Sequence, residues 1–554
     1  MKKAWAILSI SLCALFTAGI SSGSYTQDLV AAHRIDSSYQ QIWKEKGIQP
    51  AYLSTDEEFL RRATLDITGR IPTAVQASAF LSSSEPQKRQ VLIGQLLESP
   101  EFADYFASTW TALFLGYRND RFVDRMAFQE WLQNEIRKNT GWDRIAQAII
   151  TAEGSLGDNP PLNWYARHKL EAPNLADDTS RLFLGIQLGC ARCHNHPHDQ
   201  WKLEDFYGLA AFYSGLKRED LDRVDKQKVR DLKRKRKQMM DEYKSEKEAK
   251  SKRPEEIKQM KEEFRDVLRL TQEPTDSIQA EIKGEMKVYQ VKFLMDPKPA
   301  HFAGNQRVAL AEWITSPQNT FFAKALVNRI WGMMMGSGFV DPVDDMGQLN
   351  APSNPELLSF LAEDFKQHSY SIKHLVSSIA NSKTYQLSSK ARESGPPDWY
   401  ERGKVQILNA DQMMNSLLTA TSIETALKLK TQREYEERRQ MIYQYHVFLF
   451  ENDDSKGSAE FSGTIPQALF TLNGKLTNEA IQPHIGNTIS TVMKERSKPE
   501  ARIDLLFLST VSRHPTPDEL ATLTKHLHGQ TGELQAYEDM LWALLNSNEF
   551  LFNH

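Results

Sequence analysis

Cysteine is nearly missing from this chain of 554 residues: there are three, and Cys13 falls in an N-terminal stretch that reads as a leader. A disulfide-stapled scaffold is therefore excluded, and stability must come from packing. Long apolar runs are missing after residue 20. A membrane helix needs about 20 such residues, so no span is expected in the mature chain. Positive charge is not in excess either, because 68 Lys and Arg face 72 Asp and Glu for a net charge of −4. That removes the electrostatic ground for a nucleic-acid partner. No G-x-S-x-G, P-loop or dinucleotide fingerprint occurs, which leaves hydrolase chemistry without motif support.

At the N-terminus, Lys2 and Lys3 precede an apolar run over residues 4–20, with small residues at Ser21, Ser22, Gly23 and Ser24. This is the charged, apolar and cleavage-zone order of a secretory signal peptide. Residues 1–24 are assigned to it, and the mature protein is expected to be periplasmic or secreted, an uncleaved anchor being the lesser alternative. Lipidation at Cys13 is disfavoured by the preceding Ile10-Ser11-Leu12, which puts the bulky Leu12 where a lipidation site calls for a small residue.

The dominant period beyond the leader is helical. Apolar residues recur at three-to-four spacing over 87–97, 102–115, 128–136, 307–314, 321–335 and 356–365, whereas strand-like alternation occurs only over 286–294. The expected fold is mainly α: two helical domains, 25–216 and 276–554, separated by a long charged helical hairpin at 217–275, with a minor β element. The insertion contains Lys233-Arg234-Lys235-Arg236-Lys237, but acidic residues are interleaved throughout. It reads as solvated surface rather than a nucleic-acid arm.

The two remaining cysteines fall in Cys190-Ala191-Arg192-Cys193-His194, the C-x-x-C-H pattern of covalent haem c attachment. Thiols three residues apart on one turn can each form a thioether with a haem vinyl group, and the adjacent His194 can then ligate the iron. Two other chemistries stay open. Cys190 and Cys193 could pair as a disulfide in an oxidising compartment, or His194, His196, His198 and Asp199 could join them around zinc or non-haem iron.

A haem here needs a second axial ligand or an open face, and that choice separates electron transfer from substrate chemistry. His168, His301, Met333, Met334, Met335 and Met346 are the candidates, and the methionines of the helical stretch read as core. A further carboxylate-rich loop holds Asp341, Asp344 and Asp345, which could bind a cation or act on a sugar as acid and base. The same residues also suit a turn and a helix cap. Asn328, Arg329 and Trp331 are placed to face that loop.

Longer stretches carry a resemblance. Phe59-Leu60-Arg61-Arg62-Ala63-Thr64-Leu65-Asp66-Ile67-Thr68-Gly69-Arg70, Leu97-Glu98-Ser99-Pro100-Glu101-Phe102 and the run from Phe183 through Cys190-Ala191-Arg192-Cys193-His194-Asn195-His196-Pro197 resemble the planctomycete-type cytochrome C domain of unknown function. Asn328-Arg329-Ile330-Trp331, Gly338-Phe339-Val340-Asp341-Pro342-Val343-Asp344-Asp345, Ser382-Lys383-Thr384-Tyr385, Pro466-Gln467-Ala468-Leu469 and the run from Trp542 to Phe550 resemble its planctomycete-specific C-terminal companion. The resemblance implies one covalent haem outside the cytoplasm and an unknown redox partner. Family association adds a sulfatase-like or glycan partner and a link to polysaccharide degradation. It implies no reaction. His198 departs from the aromatic residue that relatives often carry in the His-Pro-x-Asp run.

Overall fold

The computed structural model describes residues 22–116, 123–220, 268–296, 298–302, 304–390, 395–423, 480–495, 498–529 and 532–554. The signal segment lies outside these except for Ser22, Gly23 and Ser24, which open the helix Ser22–Lys46. Residues 221–267 of the charged insertion also lie outside them, as does Pro466-Gln467-Ala468-Leu469. The fold is mainly α with a few short strands.

The periodic stretches form helices close to their expected bounds: Lys88–Glu98, Pro100–Leu115, Arg125–Arg137, Gln306–Thr315, Phe322–Met335 and Pro355–Gln367. Local chemistry sets their ends. Ser99 accepts from the Phe102 N–H and Pro100 occupies the first turn, so the second of these helices starts where proline needs no donor.

The helix Asp56–Thr68 is the central strut. Thr55 caps it, Asp56, Glu57 and Glu58 line its positive end, and Gly69 closes it in the left-handed region at φ 66°. A Cβ on Gly69 would also lie 2.2 Å from the Tyr105 ring, so both conformation and space require glycine.

Two apolar cores meet at this strut. Phe59, Leu60, Ala63 and Ile67 belong to a cluster that runs on through Trp110, Phe183, Trp331 and Ile379, whereas Leu65 and Ile71 belong to a second cluster built from residues 408–550. The polar side chains of the same helix join these layers. Buried Arg61 donates to the carbonyls of Thr510 (3.1 Å) and Phe550 (2.8 Å), and Arg62 donates to those of Tyr385 (2.8 Å) and Leu387 (2.7 Å). Asp66 accepts from the Tyr385 hydroxyl and the Asn553 amide, both at 2.7 Å.

Strands correct two sequence expectations. The ends of the charged insertion are not helical: Leu216–Asp220 and Leu268–Gln272 pair antiparallel, from Leu216 opposite Gln272 to Asp220 opposite Leu268. Gly154–Ser155 completes that sheet on the other side of Leu268–Gln272. Gln272 fixes the base by donating to the carbonyls of Phe212 and Ser214 and accepting from Arg307.

The alternation over 286–294 yields a shorter strand, Glu285–Gln290, in a hairpin with Ser277–Ile282. Ser277 is the last partner, so the chain beyond Gln290 has no strand to pair with. It turns onto Gly208 instead, whose carbonyl accepts from the Lys292 N–H, and buries Val291 and Leu294.

Candidate functional site

The C-x-x-C-H run is a single 3-10 turn, Gly189–Arg192, followed by Cys193. Leu188 and Ala191 are buried and root the turn, while Cys190 and Cys193 are exposed free thiols. Behind it lies the helix Ala172–Phe183. Gly189 sits so close to that helix that a Cβ would fall 2.7 Å from Asp177 Oδ1. Arg192 donates to Asn174 Oδ1 (3.1 Å), and its carbonyl accepts from the Tyr207 hydroxyl (3.1 Å). Burial pushes the Tyr207 phenol up, with the neighbouring Cys193 adding to the shift.

His194 Nδ1 lies 2.7 Å from the Asn195 carbonyl oxygen. A carbonyl only accepts, so Nδ1 is the donor in this contact, and in the neutral imidazole that makes Nε2 the acceptor on an exposed ring. Downstream the loop is stapled shut. His196 N donates to the carbonyl of buried Trp201 (2.7 Å), and Leu203 N donates to Asn195 Oδ1 (3.2 Å). His196 Nδ1 accepts from His198 N (3.3 Å), and Asp199 Oδ1 accepts from Gln200 N (2.7 Å).

The second motif lands against the first. Met346 N donates to the Gly185 carbonyl (2.8 Å), and Gln348 donates to Gln200 (2.9 Å). Gly347 faces Asp199 so closely that a Cβ there would lie 2.0 Å from Asp199 Oδ2. Two loops separated by about 150 residues thus form one seam.

The three carboxylates of the second loop do different things. Asp344 is buried and accepts from Arg181 Nε (3.2 Å) and Gln187 Nε2 (3.1 Å), so it anchors the seam. Asp345 is half-buried. Burial raises its carboxyl first, the negative charges of Asp344 and Asp199 raise it further, and Asn350 and His196 pull the other way. Asp341 is exposed, and its carbonyl accepts from Asn350.

Asn328 and Arg329 both bond to backbone. Asn328 donates to the carbonyls of Val340 and Val343 and accepts from Val340 N, which pins the loop's start. Arg329 is buried, with its guanidinium lowered by desolvation, and it donates to the Arg181 carbonyl (3.2 Å). Trp331 stacks on Phe339 in the core.

The axial candidates separate as well. Met334 and Met335 are buried in the core, Met333 packs against it, and His168 Nε2 is 2.7 Å from Asp178. His301 is exposed. Met346 alone of the set lies in the loop that meets the C-x-x-C-H segment, with its sulfur beside Gly185.

Sequence reasoning missed the residues behind the turn: Asp177, Asp178 and Arg181. Asp177 is held above its usual range by burial, and Arg181 bridges Asp178 (3.9 Å) and Asp344. The visible signal was the three-residue spacing of Asp178 and Arg181 on one helix face.

Residues 34–218 match PSCyt2, a protein family of unknown function (DUF1549), and residues 306–527 match PSD1, a second family of unknown function (DUF1553). The chain joins PSCyt2 to PSD1. The pairing suggested by the motifs is therefore real, and the seam is one of the places where the two matched segments meet: Cys190, Cys193, His194 and Asp199 fall in the PSCyt2 match, and Asp344, Asp345 and Met346 in the PSD1 match. No curated protein and no solved structure matches the chain. Among the described residues, no helix is long and apolar enough to cross a membrane.

Proposed function

We propose that this PSCyt2–PSD1 protein is an extracytoplasmic mono-haem c protein that exchanges electrons with a redox partner. The observation that carries this is the 3-10 turn, which offers two free exposed thiols and, next to them, an imidazole whose Nδ1 is bound and whose Nε2 is open. That donor set fits haem c: Cys190 and Cys193 would form the thioethers and His194 would ligate iron through Nε2. The Asn195 carbonyl would fix the tautomer, as outer partners of metal-bound histidines do. Haem held there supplies one-electron exchange between two iron oxidation states.

The protein's own part is positioning. Ala191 and Leu188 root the turn, Asp177 and Asn174 hold it from behind, and the Asp344–Arg181 pair fixes the opposing loop. The attachment residues are exposed, which suits electron exchange with a docked partner better than chemistry on an enclosed substrate.

A non-haem metal is the second reading, prompted by the charges of Asp199 and His196 that act on Asp345 across the seam, although these three side chains do not gather within ligand distance of one another. Export with a haem-maturation system separates the two. Covalent haem by intact mass and a haem spectrum, both lost in Cys190→Ser and Cys193→Ser, support haem c. Protein of unmodified mass that carries a stoichiometric non-haem metal refutes it.

A further inference from the structure

A second group of donors lies far from the seam. Asp364 and His368 share a face at the end of the helix Pro355–Gln367, and His374 sits in the first turn of the helix Ile372–Ala380. One nitrogen from each ring and one carboxylate oxygen lie within 4.8 Å of one another. Among the described residues, no other set of three His, Cys, Asp or Glu side chains gathers in this way.

The group is built rather than incidental. His374 Nε2 lies 2.7 Å from Asp364 Oδ2, and His368 Nδ1 lies 2.8 Å from the Asp364 carbonyl and 3.5 Å from its carboxylate. The two imidazoles stack with centroids 3.6 Å apart and planes 14° from parallel. Between the helices, Ser369 and Tyr370 both take φ 55°, a conformation that residues with a side chain rarely adopt and that persists only where the surroundings impose it. What imposes it is the segment opposite: Trp142 N donates to the Tyr370 carbonyl (3.0 Å), and a Cβ on Gly141 would lie 2.4 Å from the Ser369 oxygen.

His368 also lines a cleft of about 900 Å³, together with Trp131, Asp143, Arg144, Lys366 and Tyr370. We propose that Asp364, His368 and His374 bind a divalent transition-metal ion on the wall of this cleft. Two imidazoles and one carboxylate suit zinc and its first-row neighbours, and tetrahedral donors about 2.1 Å from zinc lie roughly 3.4 Å apart. The trio reaches that spacing if the stacked rings tilt open and the ion replaces the proton between Asp364 and His374. Three protein ligands leave a position for water or an oxygen donor from a molecule in the cleft. The proposal is independent of the haem reading.

The test is equilibrium dialysis of the full chain against Zn²⁺, followed by metal analysis, on wild type, His368→Gln, Asp364→Asn and His514→Gln. His514 forms a surface pair with Asp504 (2.6 Å) and serves as the control for isolated histidine–carboxylate contacts. Zinc taken up at the Cys190–His194 turn is common to all four proteins and cancels from the differences. His368 lies at a helix end and is partly exposed, so its substitution leaves the fold in place, which circular dichroism of the metal-free protein checks. The expected result is one equivalent fewer in His368→Gln and in Asp364→Asn, none lost in His514→Gln, and a zinc-dependent rise in melting temperature that both site variants lack. Equal stoichiometry in all four proteins, or an equal loss in His514→Gln, overturns the proposal.

Discussion

Replacing Arg62 by methionine tests how the two parts of the chain are held together. The methionine keeps the apolar stem, so the loss is confined to the guanidinium. That group donates to the Tyr385 and Leu387 carbonyls and pairs with Glu58 at 2.7 Å, both side chains being under a tenth exposed. Glu58 also accepts from Ser388 Oγ (2.9 Å) and Ser389 N (2.6 Å). Burial alone would raise its carboxyl, but the Ser389 N–H, Arg62 and the Ser388 hydroxyl hold it below its usual value. Removing one member of a buried pair costs about 3–5 kcal/mol, because the other charge stays desolvated. Two carbonyls lose donors as well, so the upper half of that range is expected.

The assay is urea unfolding of the exported protein from pH 7 down to pH 4. In wild type the depressed Glu58 contributes stability above its unfolded pKa, and this is lost as pH falls through the lower folded value. In Arg62→Met this dependence weakens: Arg62 no longer offsets the burial of the Glu58 carboxylate, while Ser389 N and the Ser388 hydroxyl still donate to it. The penalty should therefore shrink on acidification, and Glu58→Gln combined with Arg62→Met should cost less than the two single changes added together. A loss below about 1 kcal/mol, the range of an exposed pair, or one that does not vary with pH, would refute the reasoning.

Other consequences concern neighbouring groups. Burial lifts Asp66 to about 7 despite hydrogen bonds from Tyr385 and Asn553 and the nearby Arg62. A raised carboxyl stabilises below the unfolded pKa and loses that contribution as pH rises through the folded one. Asp66→Asn should then flatten the decline in stability between about pH 4 and pH 7, a span worth at most about 4 kcal/mol, and an unchanged slope in thermal melts would count against it. Gly69→Ala should lower stability by at least about 1 kcal/mol, since it meets both the left-handed backbone and the Tyr105 ring, and a neutral result in urea melts would contradict the packing described. Asp344→Asn should lower the melting temperature more than Asp345→Asn, because only Asp344 is buried against Arg181 and Gln187. Equal shifts would show that Asp344 does not anchor the seam.

Much of the fold was legible because helices announce themselves by period and by caps. Ser99-Pro100 marks an end that the structure places within a few residues of expectation, whereas the helix Asp56–Thr68 was not among the periodic stretches despite its acidic first turn. The strand pair at 216–220 and 268–272 was hidden, because its partners lie about 50 residues apart and the charged sequence between them masks a short alternation. The Cys190–His194 run was visible from spacing alone, since C-x-x-C-H is a local pattern. Its encounter with the Asp344 loop was not, because long-range contact leaves no period in a single sequence. Asp364, His368 and His374 were missed for a similar reason: Asp364 and His368 have helical spacing, but His374 joins them only through a turn of unusual backbone conformation.

The central claim is that Cys190, Cys193 and His194 hold one haem. Its most direct measurement is the intact mass and the oxidised and reduced absorption spectrum of the exported full-length protein, made alongside a haem-maturation system. One haem's added mass with a c-type spectrum, both abolished by Cys190→Ser combined with Cys193→Ser, is the predicted result. Unmodified mass with two titratable thiols, or with a Cys190–Cys193 disulfide, and no haem absorption would contradict it.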